Sequence, residues 1–213
     1  MKDYFLLMAM QCPEEFGLYI KNKLPSLLSR LLKDTIINMH IEENELPEYV
    51  VKEEVPAEVD EEKNKIDIYI PIIKQKNNPD EELLLTVYHE LFHIFSYHIS
   101  FYNRLESVLK GYISDFLGIT KEDIEEFLLD VEQFDIKEFI KYAGLEKSWN
   151  EDYLKECAEL DKDNGILKYI KNDLLRGIIE DAFAETFARM MIGLKIDINC
   201  LPFEKLLKKI NFY

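Results

Sequence analysis

The sequence contains little cysteine, glycine or proline, and it has no long apolar run. Its 213 residues include 3 Cys, 7 Gly and 7 Pro. The cysteines are far apart and form no C-x-x-C pair, which indicates reduced thiols in a reducing compartment. So few glycines and prolines argue against long disordered segments. No apolar run approaches the ~20 residues that a membrane-spanning helix needs.

Positive charge is also scarce. Lys and Arg total 26 against 42 Asp and Glu, which gives a formal net charge of −16. This surplus argues against nucleic acid and against an anionic membrane surface as partners, whereas a basic peptide remains compatible. Residues 1–16 have no basic region and no small-residue cleavage site, so no signal peptide is predicted. We expect a cytoplasmic protein, with leaderless export left open.

What the chain does contain is enough apolar material for a real core, since 47% of its residues are hydrophobic. Apolar positions recur at helical spacing across residues 14–39, where Pro25 would start or kink a turn. Residues 48–55 and 65–72 are predicted as strands, the second with alternating isoleucines. Pro71 lies inside that second run, and proline removes a ladder hydrogen bond, so this strand is predicted at a sheet edge.

Two long helices are predicted later in the chain, at about 80–101 and 172–193. Asn78 or Asp80 would cap the first, and Gly193 would end the second. The acidic segment between them is predicted to be helical, with breaks at 118–120, 143–150 and 161–165, and an amphipathic tail follows at 201–210.

The stretch V-Y-H-E-L-F-H-I-F-S-Y-H, residues 87–98, places the spacing H-E-x-x-H on the first of these helices. Because residues four apart share a helix face, His89 and His93 can direct two imidazoles at one tetrahedral zinc ion. Glu90 lies beside them and can accept a proton from water that the metal has made more acidic. The motif therefore predicts a zinc site with its own base. The alternative is a buried helix with two hydrogen-bonded core histidines.

Zinc held by two histidines needs a third protein ligand. A third histidine ten residues after the first would be typical of metzincins, but that position is Ile99. His98 is one residue short, and Ser96 stands where the metzincin glycine would be. We interpret His98 as a packing or surface residue and expect the third ligand to be an acid on a later helix.

The second long helix carries three acids among apolar residues, Glu180, Asp181 and Glu185. Asp181 and Glu185 are four apart and share a face, and the neighbouring alanines would let this helix approach another closely. Acids in such a setting are costly unless a cation or hydrogen bonds compensate. The alternative is a charged stripe at the edge of a buried helix.

The two motifs together resemble the gluzincin peptidases, most of all the anthrax lethal factor and Pro-Pro endopeptidase group. That family follows H-E-x-x-H with a helix carrying E-x-F-A-E-x-F, and this chain has D-A-F-A-E-T-F at residues 181–187. Arg189 and Met191 continue the likeness to lethal factor. The resemblance covers two helices and, more loosely, the strand before the first.

The resemblance implies that His89 and His93 are zinc ligands and that Glu90 is the general base. It aligns Asp181 with the family's ligand glutamate and Glu185 with an acid that supports the site. Aspartate is shorter by one methylene, so two arrangements stay open.

Either the helices are closer here and Asp181 is the ligand, or Glu185 takes that role. In the second case Asp181 or Glu180 would orient a histidine.

The family also has a tyrosine about two turns before the ligand acid, which stabilises the oxyanion. Counting back seven residues gives Leu174 from Asp181 and Ile178 from Glu185. Tyr169 and Arg176 are the nearest substitutes, which puts catalytic efficiency in doubt but not metal binding.

The resemblance implies a substrate-binding strand as well. Zincins bind an extended peptide along an exposed sheet edge beside the metal. The strand at 65–72 is the natural candidate, and Tyr69 would contact the substrate. The alternative is an ordinary edge strand.

These inferences predict an α+β, mostly helical, zincin-like metallopeptidase fold with a small N-terminal sheet. A single domain, 1–213, would comprise the sheet and metal helix (1–102), a helical insertion (103–170), and the third-ligand helix with its tail (171–213). The predicted activity is zinc-dependent hydrolysis of a peptide or protein substrate, with one Zn²⁺ per chain. The alternatives are an inactive zinc-binding or interaction protein of the same fold, and a metal-free helical regulatory protein.

Overall fold

The computed structural model describes residues 4–111, 117–131, 134–145, 173–210 and 212. Their architecture is α+β and mostly helical, with one small sheet near the start of the chain. Within these ranges, none of the helices combines the length and the hydropathy required to cross a bilayer. The predicted break at 161–165 lies outside the described residues.

The chain divides into two compact units, unit 1 (residues 1–99 and 212–213) and unit 2 (residues 100–211). Unit 1 contains the elements α1 (Tyr4–Gln11), α2 (Pro13–Lys23), α3 (Ser26–Leu31), β1 (Ile36–His40), α4 (Glu48–Glu53), β2 (Ala57–Asp60), β3 (Lys65–Tyr69), α5 (Ile70–Ile73) and α6 (Pro79–Ile99). Unit 2 contains α7 (Phe101–Leu109), α8 (Lys121–Val131), α9 (Ile136–Ala143), α10 (Asp173–Ile192) and α11 (Leu201–Lys209).

The sheet of unit 1 has the strand order β1-β3-β2. Strand β3 pairs parallel with β1, with Ile37 opposite Ile66, and antiparallel with β2, with Ala57 opposite Ile68. The prediction of β3 as an edge strand is therefore wrong. The strand ends at Tyr69, and Pro71 falls in the first turn of α5, where a missing N–H costs nothing.

Two further predictions for unit 1 need correction. Most of the stretch 48–55, predicted as a strand, is α4 (Glu48–Glu53), because Pro47 and Glu48 suit a helix start better than the adjacent valines suit a strand. The predicted helix at 14–39 is instead α2 and α3 followed by β1 from residue 36. Pro25 does start a new turn, since it directly precedes α3.

Helix α6 packs against the sheet and against α1. Its buried side chains include Leu83, Val87, Leu91, Phe92 and Phe95, and isoleucines of β3 are buried too. The observed bounds of α6 and α10 agree with the two long predicted helices to within two residues.

Unit 2 has an aromatic core. Phe183 of α10 lies with its ring centroid 5.0 Å from that of Phe203 in α11 and 5.3 Å from that of Phe127 in α8. Helix α8 confirms that this part of the acidic segment is helical, and its acidic residues Glu122 and Glu125 are exposed. Gly193 has a φ of 73° and ends α10, which confirms its predicted role as the stop.

Candidate metal centre

The H-E-x-x-H motif lies near the middle of α6, where partly exposed polar side chains alternate with buried apolar ones. The carbonyl of Asn78 accepts a hydrogen bond from the Glu82 N–H at 3.0 Å, which starts the helix as predicted. His89, Glu90 and His93 are half-buried, although their neighbours on α6 are mostly buried. The three polar residues of the motif can therefore meet a ligand without full desolvation.

The two histidines of the motif converge through the same ring nitrogen. Nε2 of His89 and Nε2 of His93 are 3.0 Å apart, and their ring centroids are separated by 4.9 Å. In one tautomeric arrangement this distance is a hydrogen bond between the rings. It also satisfies the first geometric requirement of a metal site, two imidazole lone pairs directed at one point.

This pair fits zinc by distance and by chemistry. Zinc–nitrogen bonds of about 2.0–2.1 Å at a tetrahedral angle put two ligating nitrogens about 3.3–3.4 Å apart. The observed 3.0 Å between the Nε2 atoms of His89 and His93 needs only a small opening of the rings. Neutral imidazole is also a preferred ligand of zinc.

His98 does not share this position. It is exposed, as is its neighbour Tyr97, 46% of whose surface is accessible. Of the two roles predicted for His98, packing or surface, the structure confirms the surface role.

On α10, Glu185 is already used by the fold of unit 2. It is 7% exposed, and its Oε1 accepts a hydrogen bond from Nε of Arg189 at 2.5 Å. The guanidinium carbon of Arg189 lies 4.3 Å from the centroid of the Tyr142 ring, which adds a cation–π contact. Glu185 therefore belongs to a buried ion pair with a structural role of its own.

Glu180 and Asp181 are less buried than Glu185. They act electrostatically on the hydroxyl of Tyr102, a buried residue of α7. The pKa of Tyr102 lies well above its usual range, because burial penalises the phenolate first and the charges of Glu180 and Asp181 add to it. Arg176 opposes this effect, so its charge also acts on the Tyr102 hydroxyl.

The structure describes only one of the two residues that were suggested in place of the oxyanion tyrosine. Tyr169 lies outside the described residues. Arg176 is half-buried on α10, near the Tyr102 hydroxyl. Ile178 is fully buried, so this position on α10 is part of the core.

The prediction that a peptide substrate binds along an exposed edge of β3 is wrong, because β3 is paired on both edges. Tyr69 ends this central strand, is 4% exposed, and donates its hydroxyl to Glu58 of β2 at 2.5 Å. Burial, together with that hydrogen bond, raises the pKa of Tyr69. In the part of the chain that the structure describes, β1 and β2 occupy both edges of β3, which leaves neither edge for a peptide.

A second polar cluster lies on the same sheet, and the sequence analysis missed it. Asp67 of β3 accepts hydrogen bonds from Nδ2 of Asn38 at 3.0 Å and pairs with Nε2 of His40 at 2.8 Å. Lys65 contacts its other oxygen at 2.7 Å. The alternation of polar residues in β1 and β3 indicates a polar sheet face. Which of these residues contact each other, however, can be predicted only if the strand register is known.

Comparison of the chain with protein-family models, with curated proteins and with solved structures finds no match. A case for function has to be made from the residues of α6 and α10 themselves.

Proposed function

We propose that this protein is a zinc-dependent metallopeptidase with a zincin-like fold, which hydrolyses peptide bonds in a peptide or protein substrate. The observation that carries the proposal is the convergence of the two Nε2 atoms of His89 and His93 at 3.0 Å, with Glu90 beside them on α6. A helix that needed only a packed core would gain nothing from three polar side chains there.

His89 and His93 are the proposed zinc ligands, and Asp181 is the proposed third. Asp181 is the residue that aligns with the ligand acid of the gluzincins. It is also half-buried, whereas Glu185 is 7% exposed and bonded to Arg189. Using Glu185 as the ligand would leave that arginine without its partner, which is expensive in a buried position.

A zinc ion held by these groups would supply Lewis acidity, which makes water more acidic and a peptide carbonyl more electrophilic. Glu90 takes a proton from the attacking water and passes it to the leaving amine. Its place next to His89 in the helix, only partly buried, keeps the carboxylate accessible to water.

A second candidate is a zinc-binding protein of the same fold without turnover. The residue at position 174 favours it, because the aliphatic Leu174 stands seven residues before the proposed ligand Asp181, where the family's tyrosine would stabilise the oxyanion. Glu90 opposes it, since a purely structural site has no use for a base.

Zinc content tests the proposal directly. Elemental analysis should give one zinc per chain for the wild type and almost none for His93→Ala, which removes a ligand. His98→Ala is the matched control, because it removes an exposed histidine from the same helix and should keep the zinc. The absence of zinc from wild-type protein grown in zinc-supplemented medium would refute the proposal and return α6 to the status of a core helix.

A further inference from the structure

The turn between β2 and β3 is held in one conformation by its own polar residues. The N–H of Lys63 donates to Oδ1 of Asp60 at 3.0 Å, and the Lys63 ammonium contacts Oδ2 of the same residue at 2.6 Å. Asn64 has a φ of 55°, a left-handed conformation that asparagine adopts more readily than most residues. Its side-chain oxygen accepts a hydrogen bond from the hydroxyl of the buried Thr35 at 2.6 Å. These contacts fix the turn relative to the sheet.

The turn carries Glu61 on the side of the sheet that faces α6. Val59 lies opposite Ile66 of β3, so the two side chains share the face that buries Ile66. Helix α6 packs against both β2 and β3. Glu61 follows Val59 by two residues and continues the same row, one position beyond the end of β2. It is half-buried there, as the histidines of α6 are.

Glu61 comes close to the proposed metal centre at His93. A carboxylate oxygen of Glu61 and a ring nitrogen of His93 lie within 4.8 Å of each other. A movement of at most about 2 Å, within the reach of one change of rotamer, brings such a pair to hydrogen-bond distance. Both residues belong to unit 1, so the fold of that unit alone brings them together.

The chemistry of a zinc-bound imidazole gives this carboxylate a role. Nε2 of His93 faces Nε2 of His89 at 3.0 Å, so Nε2 is the nitrogen directed at the proposed ion. An imidazole that offers Nε2 to a metal carries its proton on Nδ1, and that N–H is a donor. Ligand histidines almost always donate it to a carboxylate, a carbonyl or water, which fixes the tautomer and the orientation of the ring. A carboxylate offers only acceptors and therefore suits this position.

We propose that Glu61 is a positioning residue, which accepts a hydrogen bond from the Nδ1–H of His93 in the zinc-loaded protein and so holds Nε2 towards the ion. The inference rests on the proposed zinc site. It adds a residue of the β2–β3 turn to a centre that the sequence motif places on α6 alone. Groups that orient a ligand histidine in this way contribute about 10–100-fold to metal affinity.

The test is zinc affinity, measured by competition with a chelator of known affinity. Glu61→Ala should weaken zinc binding about 10–100-fold. Glu61→Gln keeps a carbonyl oxygen that can accept the same hydrogen bond, so its affinity should lie between those of Glu61→Ala and wild type. Far-UV circular dichroism of the metal-free variants checks that each one is folded.

Glu62→Ala is the matched control. It removes the same charge from the same turn, but the Glu62 side chain is exposed, so zinc affinity should change little. A second readout is the Nδ1 proton of His93 in the nuclear magnetic resonance spectrum of the zinc-loaded protein. This proton should exchange slowly with water in the wild type and rapidly in Glu61→Ala, whereas a merely structural role of Glu61 would leave its exchange unchanged.

Three results would contradict the positioning role and leave the zinc site standing. They are a zinc affinity of Glu61→Ala equal to wild type, an equal loss of affinity in Glu62→Ala, and a loss in Glu61→Gln as large as in Glu61→Ala. The last result would mean that the carboxylate itself binds the ion. Absence of zinc binding in the wild type would instead overturn both the positioning role and the proposed function.

Discussion

Helices α6 and α10 carry the two parts of the proposed site, and they hold their polar side chains in different ways. On α6 the imidazoles of His89 and His93 meet at a half-buried position, 3.0 Å apart. On α10 the carboxylate of Glu185 is buried and bonded to Arg189, one turn later on the same helix. The difference separates a polar group that stabilises the fold through an ion pair from groups that we propose bind a zinc ion.

The largest expected effect concerns α6. Glu90→Gln keeps the size of the side chain but removes the base, so peptidase activity should fall by about 10²–10⁴-fold. Zinc content should stay at one per chain, since Glu90 is not a proposed ligand. The measurement is cleavage of a denatured protein substrate and of a peptide library by equal amounts of zinc-loaded wild type and variant, with a chelator as a further control.

Equal cleavage by both proteins would contradict the peptidase proposal and point to a contaminating protease. Zinc binding without cleavage by the wild type would favour the second candidate, a zinc-binding protein without turnover.

On α10, substitution of Asp181 should affect mainly zinc affinity, whereas substitution of Glu185 should affect mainly stability. Asp181→Asn should weaken zinc binding by more than the ~10–100-fold typical of outer groups, with little change in the stability of the metal-free protein. Glu185→Gln should lower the free energy of unfolding by about 2–3 kcal/mol, because it leaves the Arg189 charge in a largely buried position, and should affect zinc much less.

Urea unfolding and zinc titration of both variants measure the two quantities. Adding Arg189→Gln to Glu185→Gln is the control, since removing both charges should recover part of the lost stability. The opposite pattern, zinc lost with Glu185→Gln and kept with Asp181→Asn, would assign the ligand to Glu185.

The smallest effect is expected in the sheet of unit 1, where a polar cluster is fully paired. Burial by itself would raise the pKa of Asp67, but the hydrogen bonds from Lys65, His40 and Asn38 outweigh it and hold the pKa below its usual value. A lowered pKa stabilises the fold above the unfolded value of about 3.9, and this stabilisation is lost as pH falls through the folded value.

Asp67→Asn should therefore lower the free energy of unfolding by about 1 kcal/mol at pH 7. The difference in stability from wild type should disappear as the pH drops below about 4. Thermal unfolding of both proteins between pH 3 and pH 7 measures this. A gap that stays constant over that range would mean that the ionised carboxylate contributes nothing.

The sequence was sufficient for features that depend on local pattern. Helix α6 and helix α10 were predicted almost to their ends, because each has long apolar periodicity and a clear start or stop such as Gly193. The convergence of His89 and His93 also follows from helix geometry alone, since residues four apart share a face.

Features that depend on distant parts of the chain were not predicted. The central place of β3 requires β1 and β2 to be recognised as its neighbours, and nothing in residues 65–69 encodes that. The charged groups that act on the Tyr102 hydroxyl lie on α10, far along the chain, so no spacing rule could reveal them. The valines of α4 led to a wrong strand prediction. The β-propensity of valine largely reflects burial of its side chain, and a short helix can bury a valine as well.

The contacts of Phe212 with the rest of unit 1 can form only late in protein synthesis. Its carbonyl accepts a hydrogen bond from the Leu27 N–H at 2.8 Å, and its ring lies 5.8 Å from that of Phe95 on α6. Unit 1 is thus completed by a residue that the ribosome adds after all of unit 2. At 5–20 residues per second the intervening segment takes roughly 6–22 s to translate. For that interval Phe95, on the helix with the H-E-x-x-H motif, lacks its ring contact with Phe212.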